Sequence, residues 1–150
     1  MRKIIDKLHE NNNLNRQELL YLLNNINHEN KEYLISKANE TRFKYYGDKV
    51  YMRGLIEFTN YCKNTCTYCG IRAFNKNVDR YRLSLDQIMD SCSAGYKLGY
   101  RTFVLQGGED NYFTDDKIVE IVTKIKSNFP ECAVTLSIGE KSYHSYKKIL

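Results

Sequence analysis

The sequence predicts an α/β protein: a helical segment over residues 1–49, followed by a parallel β-sheet region over residues 50–150. Three observations predict it. The first fifty residues carry helix caps and helix-spaced apolar residues. From Val50 onward, strand-length apolar runs alternate with capped helical segments in the order βαβαβα, which implies parallel strands joined by right-handed crossovers. Each predicted strand is followed by a polar or cysteine-bearing segment, as expected where ligands bind at the carboxyl ends of parallel strands.

The elements follow in order. Asn15 is placed to cap a helix, with Glu18 completing a capping box and Leu14 and Leu19 set as a hydrophobic staple. A second helix is expected over about 29–46, with Tyr33, Leu34, Ala38 and Tyr45 on one side and Gly47 as the stop. Val50 to Phe58 reads as a strand despite Gly54. Ser84 caps the next helix, with Gln87 at the third position and Leu83 and Ile88 as its staple, and Gly99 ends it. Arg101 to Gln106 is the second strand. Thr114 caps another helix, whose Asp115 and Asp116 suit the positive end of the helix dipole and whose apolar stripe is Ile118, Val119, Val122 and Ile125. Cys132 to Ile138 is the third strand, and a last helix starts near Ser142 and runs on to Leu150. Three βα units are too few to close a barrel of about 250 residues. The expectation is therefore the N-terminal part of a longer protein, with a complete small α/β protein as the alternative.

Composition narrows the function classes. The 150 residues are 42% hydrophobic and 27% charged, enough for a core, and the mean hydropathy of −0.59 argues against a membrane protein. No apolar run approaches the roughly 18 residues that span a bilayer. The N-terminus opens with the basic pair Arg2-Lys3, but Asp6, Lys7, His9 and Glu10 interrupt any apolar stretch, so it does not read as a signal peptide and the expected location is cytoplasmic. A net charge of +5, with Lys and Arg spread along the chain, reads as a solvated surface rather than a nucleic-acid footprint. Five cysteines, an odd number without a secretory signal, argue against a disulfide framework.

Three of those cysteines fall within eight residues, Cys62-Lys63-Asn64-Thr65-Cys66-Thr67-Tyr68-Cys69. Thiolates are soft ligands for iron–sulfur clusters, zinc and copper(I). Three in one loop can hold three corners of a cubane cluster and leave the fourth iron open to a substrate. A structural zinc site needs a fourth ligand, from Cys92, Cys132 or His144, none at zinc-finger spacing. A redox pair would use Cys66 and Cys69 and leave Cys62 unexplained. Gln106-Gly107-Gly108-Glu109 follows the second strand and Ser137-Ile138-Gly139-Glu140 the third, so the polar clusters converge on one end of the sheet. Cys92 and Cys132 read as core packing, and Arg72, Lys76, Arg80 and Arg82 either as neutralisers of an anionic centre or as ordinary loop charges.

CxxxCxxC with an aromatic residue before the last cysteine resembles the radical S-adenosylmethionine (SAM) superfamily, and Gly107-Gly108-Glu109 resembles that superfamily's second motif. Arg53 to Cys62, Tyr68 to Arg72, Arg80 to Arg82, Val104 to Asp110 and Val134 to Glu140 resemble most the FeFe-hydrogenase maturase HydE family within the biotin synthase-like branch. That family mostly carries Ser where Gly107 stands. The biotin synthase and methylornithine synthase families share the architecture with a poorer match around Cys62 to Arg72.

The resemblance implies a TIM-type (β/α) barrel, of which this chain holds the first three units after its N-terminal helices. It implies a 4Fe–4S cluster on Cys62, Cys66 and Cys69, with SAM chelating the open iron and being cleaved to methionine and a 5′-deoxyadenosyl radical. Tyr68 is expected against the adenine, Gly107, Gly108 and Glu109 near the methionyl amine, and Ser137 near SAM. Gln106, Thr135 and Glu140 are expected at the substrate pocket. The alternatives are small polar residues filling a narrow interior for Thr135 and Ser137, and a helix N-terminal carboxylate for Glu140. The implied partners are a small-molecule or organometallic substrate, an electron donor such as ferredoxin or flavodoxin, and other hydrogenase maturases, with no nucleic acid and no membrane. The rival from another class is a small zinc-binding interaction domain.

Overall fold

The computed structural model describes residues 1–149. The chain divides into two compact units, Met1–Val50 and a second from Tyr51 onward. The first holds α1 (Arg2–Asn11), α2 (Arg16–Asn25) and α3 (His28–Tyr46). Asn15 forms the capping box of α2: its side chain accepts from the Glu18 N–H, and Glu18 accepts from the Asn15 N–H. Gly47, at φ 61°, ends α3 with its N–H on the Phe43 carbonyl, a backbone conformation that costs glycine little. The anticipated stripe on α3 is only partly realised. Tyr33 and Leu34 are half-buried, whereas Ala38 and Tyr45 are exposed, and Lys37 and Thr41 take the inner positions.

The second unit alternates β1 (Gly54–Thr59), α4 (Leu85–Lys97), β2 (Thr102–Gly107), α5 (Asp115–Asn128), β3 (Ala133–Ser137) and α6 (Tyr143–Ile149). The strands are parallel in the order β1-β2-β3. The strand expected from Val50 begins only at Gly54. Val50, Tyr51 and Met52 have the right composition for a strand, but backbone pairing starts with Gly54 opposite Phe103. Ser84 and Gln87 form the capping box of α4, and Thr114 caps α5. The buried stripe of α5 is Ile118, Ile121 and Ile125, so Ile121 takes the place expected of Val119. The last helix begins at Tyr143, as expected; its anticipated end at Leu150 lies outside the described residues.

Period-two alternation sorts the sheet into two unlike faces. Ile56, Phe58, Phe103 and Leu105 point to one side, where Ile88 and Cys92 of α4, Ile118, Ile121 and Ile125 of α5, and Phe113 and Cys132 complete the core. Phe58 and Phe113 meet edge to face with ring centroids 4.6 Å apart. Each such fully buried large side chain contributes about 1.5–3 kcal/mol. On the other face the register sets Leu55, Val104 and Thr135 in one row and Glu57, Gln106 and Ser137 in the next. Parallel sheets are ordinarily covered on both faces; here Leu55, Glu57, Gln106, Thr135 and Ser137 are exposed. No helix among the described residues is long and apolar enough to cross a membrane.

Candidate functional site

The site is built where the strands end. β1 runs out at Thr59, and residues 60–82 then form a long irregular loop that returns to the sheet through the Thr59–Arg82 bridge. A loop of this length needs internal ties, and Arg80 supplies them. Its guanidinium donates to the carbonyls of Asn60, Ile71 (2.8 Å), Arg72 (2.8 Å) and Asn75 (3.1 Å). The five-donor fork of arginine suits it to gathering several carbonyls at once. Arg72 donates to the Cys69 carbonyl at 2.9 Å, and the Cys69 N–H turns back to the Cys66 carbonyl at 3.1 Å. All five cysteines are free thiols. Cys62 and Cys69 are half-buried and Cys66 is exposed, whereas Cys92 and Cys132 lie fully buried in the core, as expected of packing residues. Burial pushes the Cys92 thiol up to about 11, with Cys132 adding to the shift, and raises the Cys132 thiol in the same way.

The segment after β2 seats directly on the cysteine loop. The Glu109 N–H points to Cys62 Sγ at 3.4 Å, and the Lys63 N–H donates to the Glu109 carbonyl at 3.1 Å. Gly108 makes this approach possible. A Cβ there would overlap the Tyr61 carbonyl oxygen and lie 2.7 Å from Cys62 Cβ. The Glu109 carboxylate is largely enclosed. It accepts from Asn64 Nδ2 at 3.0 Å and stands 3.4 Å from Lys63 Nζ. Gly139, at φ 80°, passes against the Glu109 side chain where any Cβ would collide with it. The three strand ends thus meet: Cys62 to Asn64 after β1, Gly108 and Glu109 after β2, and Gly139 after β3.

Beside them lies a shallow cavity of about 280 Å³, lined by Lys63, Glu109, Asn111, Thr114, Glu140 and Lys141 among others. Glu140 therefore shares a wall with Glu109. Tyr68 projects outward, 91% exposed. Gln106 and Ser137 stand side by side on the uncovered sheet face, with Thr135 one row further from the loops. Among the described residues no group of three or more His, Cys, Asp or Glu side chains forms a ready single-ion site.

A second cluster was not anticipated. The Asp110 side chain, 4% exposed, accepts from Arg82 Nε (2.7 Å) and Nη2 (2.9 Å), the Thr59 hydroxyl (2.8 Å) and the Tyr112 N–H (3.0 Å). Burial works to raise the Asp110 carboxyl, but the bonds from Arg82, Tyr112 and Thr59 outweigh it and hold it below the usual carboxylate range. The Arg82 guanidinium lies 3.9 Å from the Tyr61 ring centroid and 4.8 Å from that of Tyr112. Arg80 and Arg82 therefore tie the loop internally and to the β2 turn. Asn64, Asp110 and Gly139 were legible only as neighbours of the motifs, because nothing in their spacing names their partners.

Comparison with known proteins adds the following. A family model described as the radical SAM superfamily matches residues 56–144. The chain is 41% identical over 147 residues to the FeFe hydrogenase maturase subunit HydE of Thermotoga maritima, covering 98% of this chain and 41% of that protein. It is 34% identical over 124 residues to a 3-methylornithine synthase of Methanosarcina acetivorans, covering 81% of this chain and 35% of that protein. The crystal structure of methylornithine synthase (PylB) superposes with a TM-score of 0.82 at 30% identity, covering 97% of this chain and 43% of that one. The chain thus spans about two-fifths or less of the length of the curated relatives named here.

Proposed function

The chain belongs to the radical SAM superfamily, and from that premise we propose that Cys62, Cys66 and Cys69 hold a 4Fe–4S cluster at the carboxyl end of the sheet. The residues fit such a group. Three unbridged thiols share one loop, the loop is fixed by Arg80 through backbone carbonyls, and a backbone N–H already faces the Cys62 sulfur. When bound, the cluster supplies the electron that cleaves S-adenosylmethionine to methionine and a 5′-deoxyadenosyl radical.

The chain's own residues bind and orient. Gly107 and Gly108 let the turn after β2 seat against Thr59 and the Tyr61–Cys62 segment, which sets its backbone near the methionyl amine, and the Glu109 carboxylate, held by Asn64 and Lys63, keeps acceptor capacity for that amine. Tyr68, free of the protein surface, is available to cover the adenine. Ser137 offers a hydroxyl toward SAM from the uncovered face. Gln106, Thr135 and Glu140 supply polar groups to a substrate pocket on that face and beside the cavity.

The reaction is assigned to maturation of the FeFe-hydrogenase active site, with a small or organometallic substrate, a ferredoxin- or flavodoxin-class electron donor and other hydrogenase maturases as partners. The 41% identity to HydE across nearly the whole chain supports this branch over the methylornithine synthase branch, matched at 34%.

One observation carries the reading: the Gly108-Glu109 turn rests on Cys62, joining the two motifs in one site. The test is anaerobic iron–sulfide reconstitution followed by EPR of the reduced protein with and without SAM. A cubane signal that changes on adding SAM supports it. About one zinc per chain and no SAM-sensitive cluster overturns it in favour of a zinc-binding module. The branch is tested by exchanging these 150 residues for the matching segment of HydE in a defined hydrogenase maturation assay, where hydrogen evolution is the expected result; the 150 residues alone are expected to give no complete turnover. SAM cleavage without maturation would redirect the assignment to the methylornithine synthase branch.

A further inference from the structure

We propose that Asp110 is a positioning residue for the cluster, holding the Glu109 amide on the Cys62 sulfur and so raising the reduction potential of the group bound there. The inference rests on the cluster reading above and adds a role for the chain around it. Asp110 directly follows Glu109, whose N–H faces Cys62 Sγ at 3.4 Å. Its carboxylate holds the segment leading into Cys62 through two partners. On one side it takes the hydroxyl of Thr59, the last residue of β1, three positions before Cys62. On the other it takes both Arg82 bonds, and the same guanidinium lies over Tyr61, the residue immediately before Cys62. The Tyr61 N–H in turn donates to Thr59 Oγ1 at 3.2 Å.

Asp110, Thr59, Arg82 and Tyr61 therefore form a closed ring of contacts next to the amide–sulfur pair in sequence, and the Asp110 carboxylate in it is almost wholly out of water. A surface ion pair would hold little, because solvent competes for both partners. Here the carboxylate is buried although Arg82 is partly exposed, and a bidentate pair with two further donors on a buried carboxylate fixes geometry. A backbone N–H aimed at a ligand sulfur stabilises the more negative, reduced state of an iron–sulfur cluster. Hydrogen bonds to the sulfurs are among the factors that set its potential. Removing the anchor releases the Glu109 turn and weakens that bond, so the potential falls.

Two measurements test this, one independent of the cluster. In the metal-free chain, amide hydrogen exchange at Glu109 is expected to be at least about tenfold faster in Asp110→Ala than in the parent, with Asp110→Asn intermediate because its amide oxygen still accepts from Thr59 and Arg82. In the reconstituted chain, an EPR-monitored redox titration should give a more negative midpoint for Asp110→Ala, partial recovery in Asp110→Asn, and no shift for Asp116→Asn, which breaks a distant exposed pair with Lys148. If Asp110→Ala fails to fold, Arg82→Lys takes its place; it keeps the cation but loses the bidentate fork, and the same direction of shift is expected. Unchanged Glu109 exchange overturns the positioning role. Faster exchange with an unchanged midpoint overturns the electrostatic consequence. A parent chain that takes up no SAM-sensitive cluster overturns the functional reading, whatever the exchange result.

Discussion

At the scale of single residues, Gly108 and Cys92 make opposite predictions about the metal. A methyl group at Gly108 meets backbone at Tyr61 and the Cβ of Cys62, neither of which can swing away. Gly108→Ala is expected to cost about 1–3 kcal/mol from overpacking, read by urea denaturation, and to lower iron uptake sharply on reconstitution. Cys92 is buried among Ile88, Phe103 and their neighbours, and its thiol, pushed up to about 11 by burial, stays protonated at neutral pH. Metal ligation and nucleophilic attack both need the thiolate. Cys92→Ser should therefore destabilise the fold by about 1–3 kcal/mol, the cost of burying a hydroxyl without a partner, and leave iron per chain at the parent level. A loss of metal in Cys92→Ser would contradict the assignment of the ligands to the loop. These two residues show what sequence conveys about individual positions. The spacing of the three loop cysteines set them apart from Cys92 and Cys132, but the reason for Gly108 needed the Tyr61 carbonyl, which arrives from the loop after β1.

At the scale of elements, local chemistry was the more readable part. The capping boxes at Asn15 and Ser84 and the Gly47 and Gly99 stops depend on residues within one turn of each other, and all occur. Helix α1 gives no such sign, since Met1 caps it without a side-chain bond. Strand β1 misled for a different reason. Val50, Tyr51 and Met52 are good strand formers, but a strand extends only as far as a partner pairs with it. Removing the cap in Ser84→Ala is expected to lower stability by about 1 kcal/mol, without altering metal content, as read by thermal melting and iron analysis.

The β2 turn adds a pH prediction at this scale. Asp110 is held below its ordinary 3.8, so its contribution is fully present above that value and is lost as pH falls through its lower folded value. The stability gap between the parent and Asp110→Asn should be wide at neutral pH and close below about pH 4. The paired carboxyls Glu18, Asp115 and Glu131, also held low, remain in both proteins and cancel in the comparison.

At the scale of the whole molecule, the sheet is the deciding feature. Helices α4 and α5 cover one face, while the other presents Leu55, at 54% exposure, beside the row of Glu57, Gln106 and Ser137. β1 and β3 are the outer strands of the described sheet, and unpaired strand edges invite association. The isolated chain is therefore expected to self-associate as its concentration rises, and Leu55→Lys to reduce that association several-fold by light scattering with an unchanged circular dichroism spectrum.

The sequence by itself determined the order of elements from α2 onward, the parallel topology and the grouping of chemistry at the strand ends, because caps, periodicity and motif spacing act between residues close in the chain. The tertiary structure decided which of those groups touch: Glu109 on Cys62, Gly139 against Glu109, and Asp110 joining Thr59 to Arg82. Those contacts join residues 28 to 51 positions apart in the chain. Only the register of the sheet brings them within hydrogen-bonding reach, and register depends on packing across the whole core rather than on any local pattern.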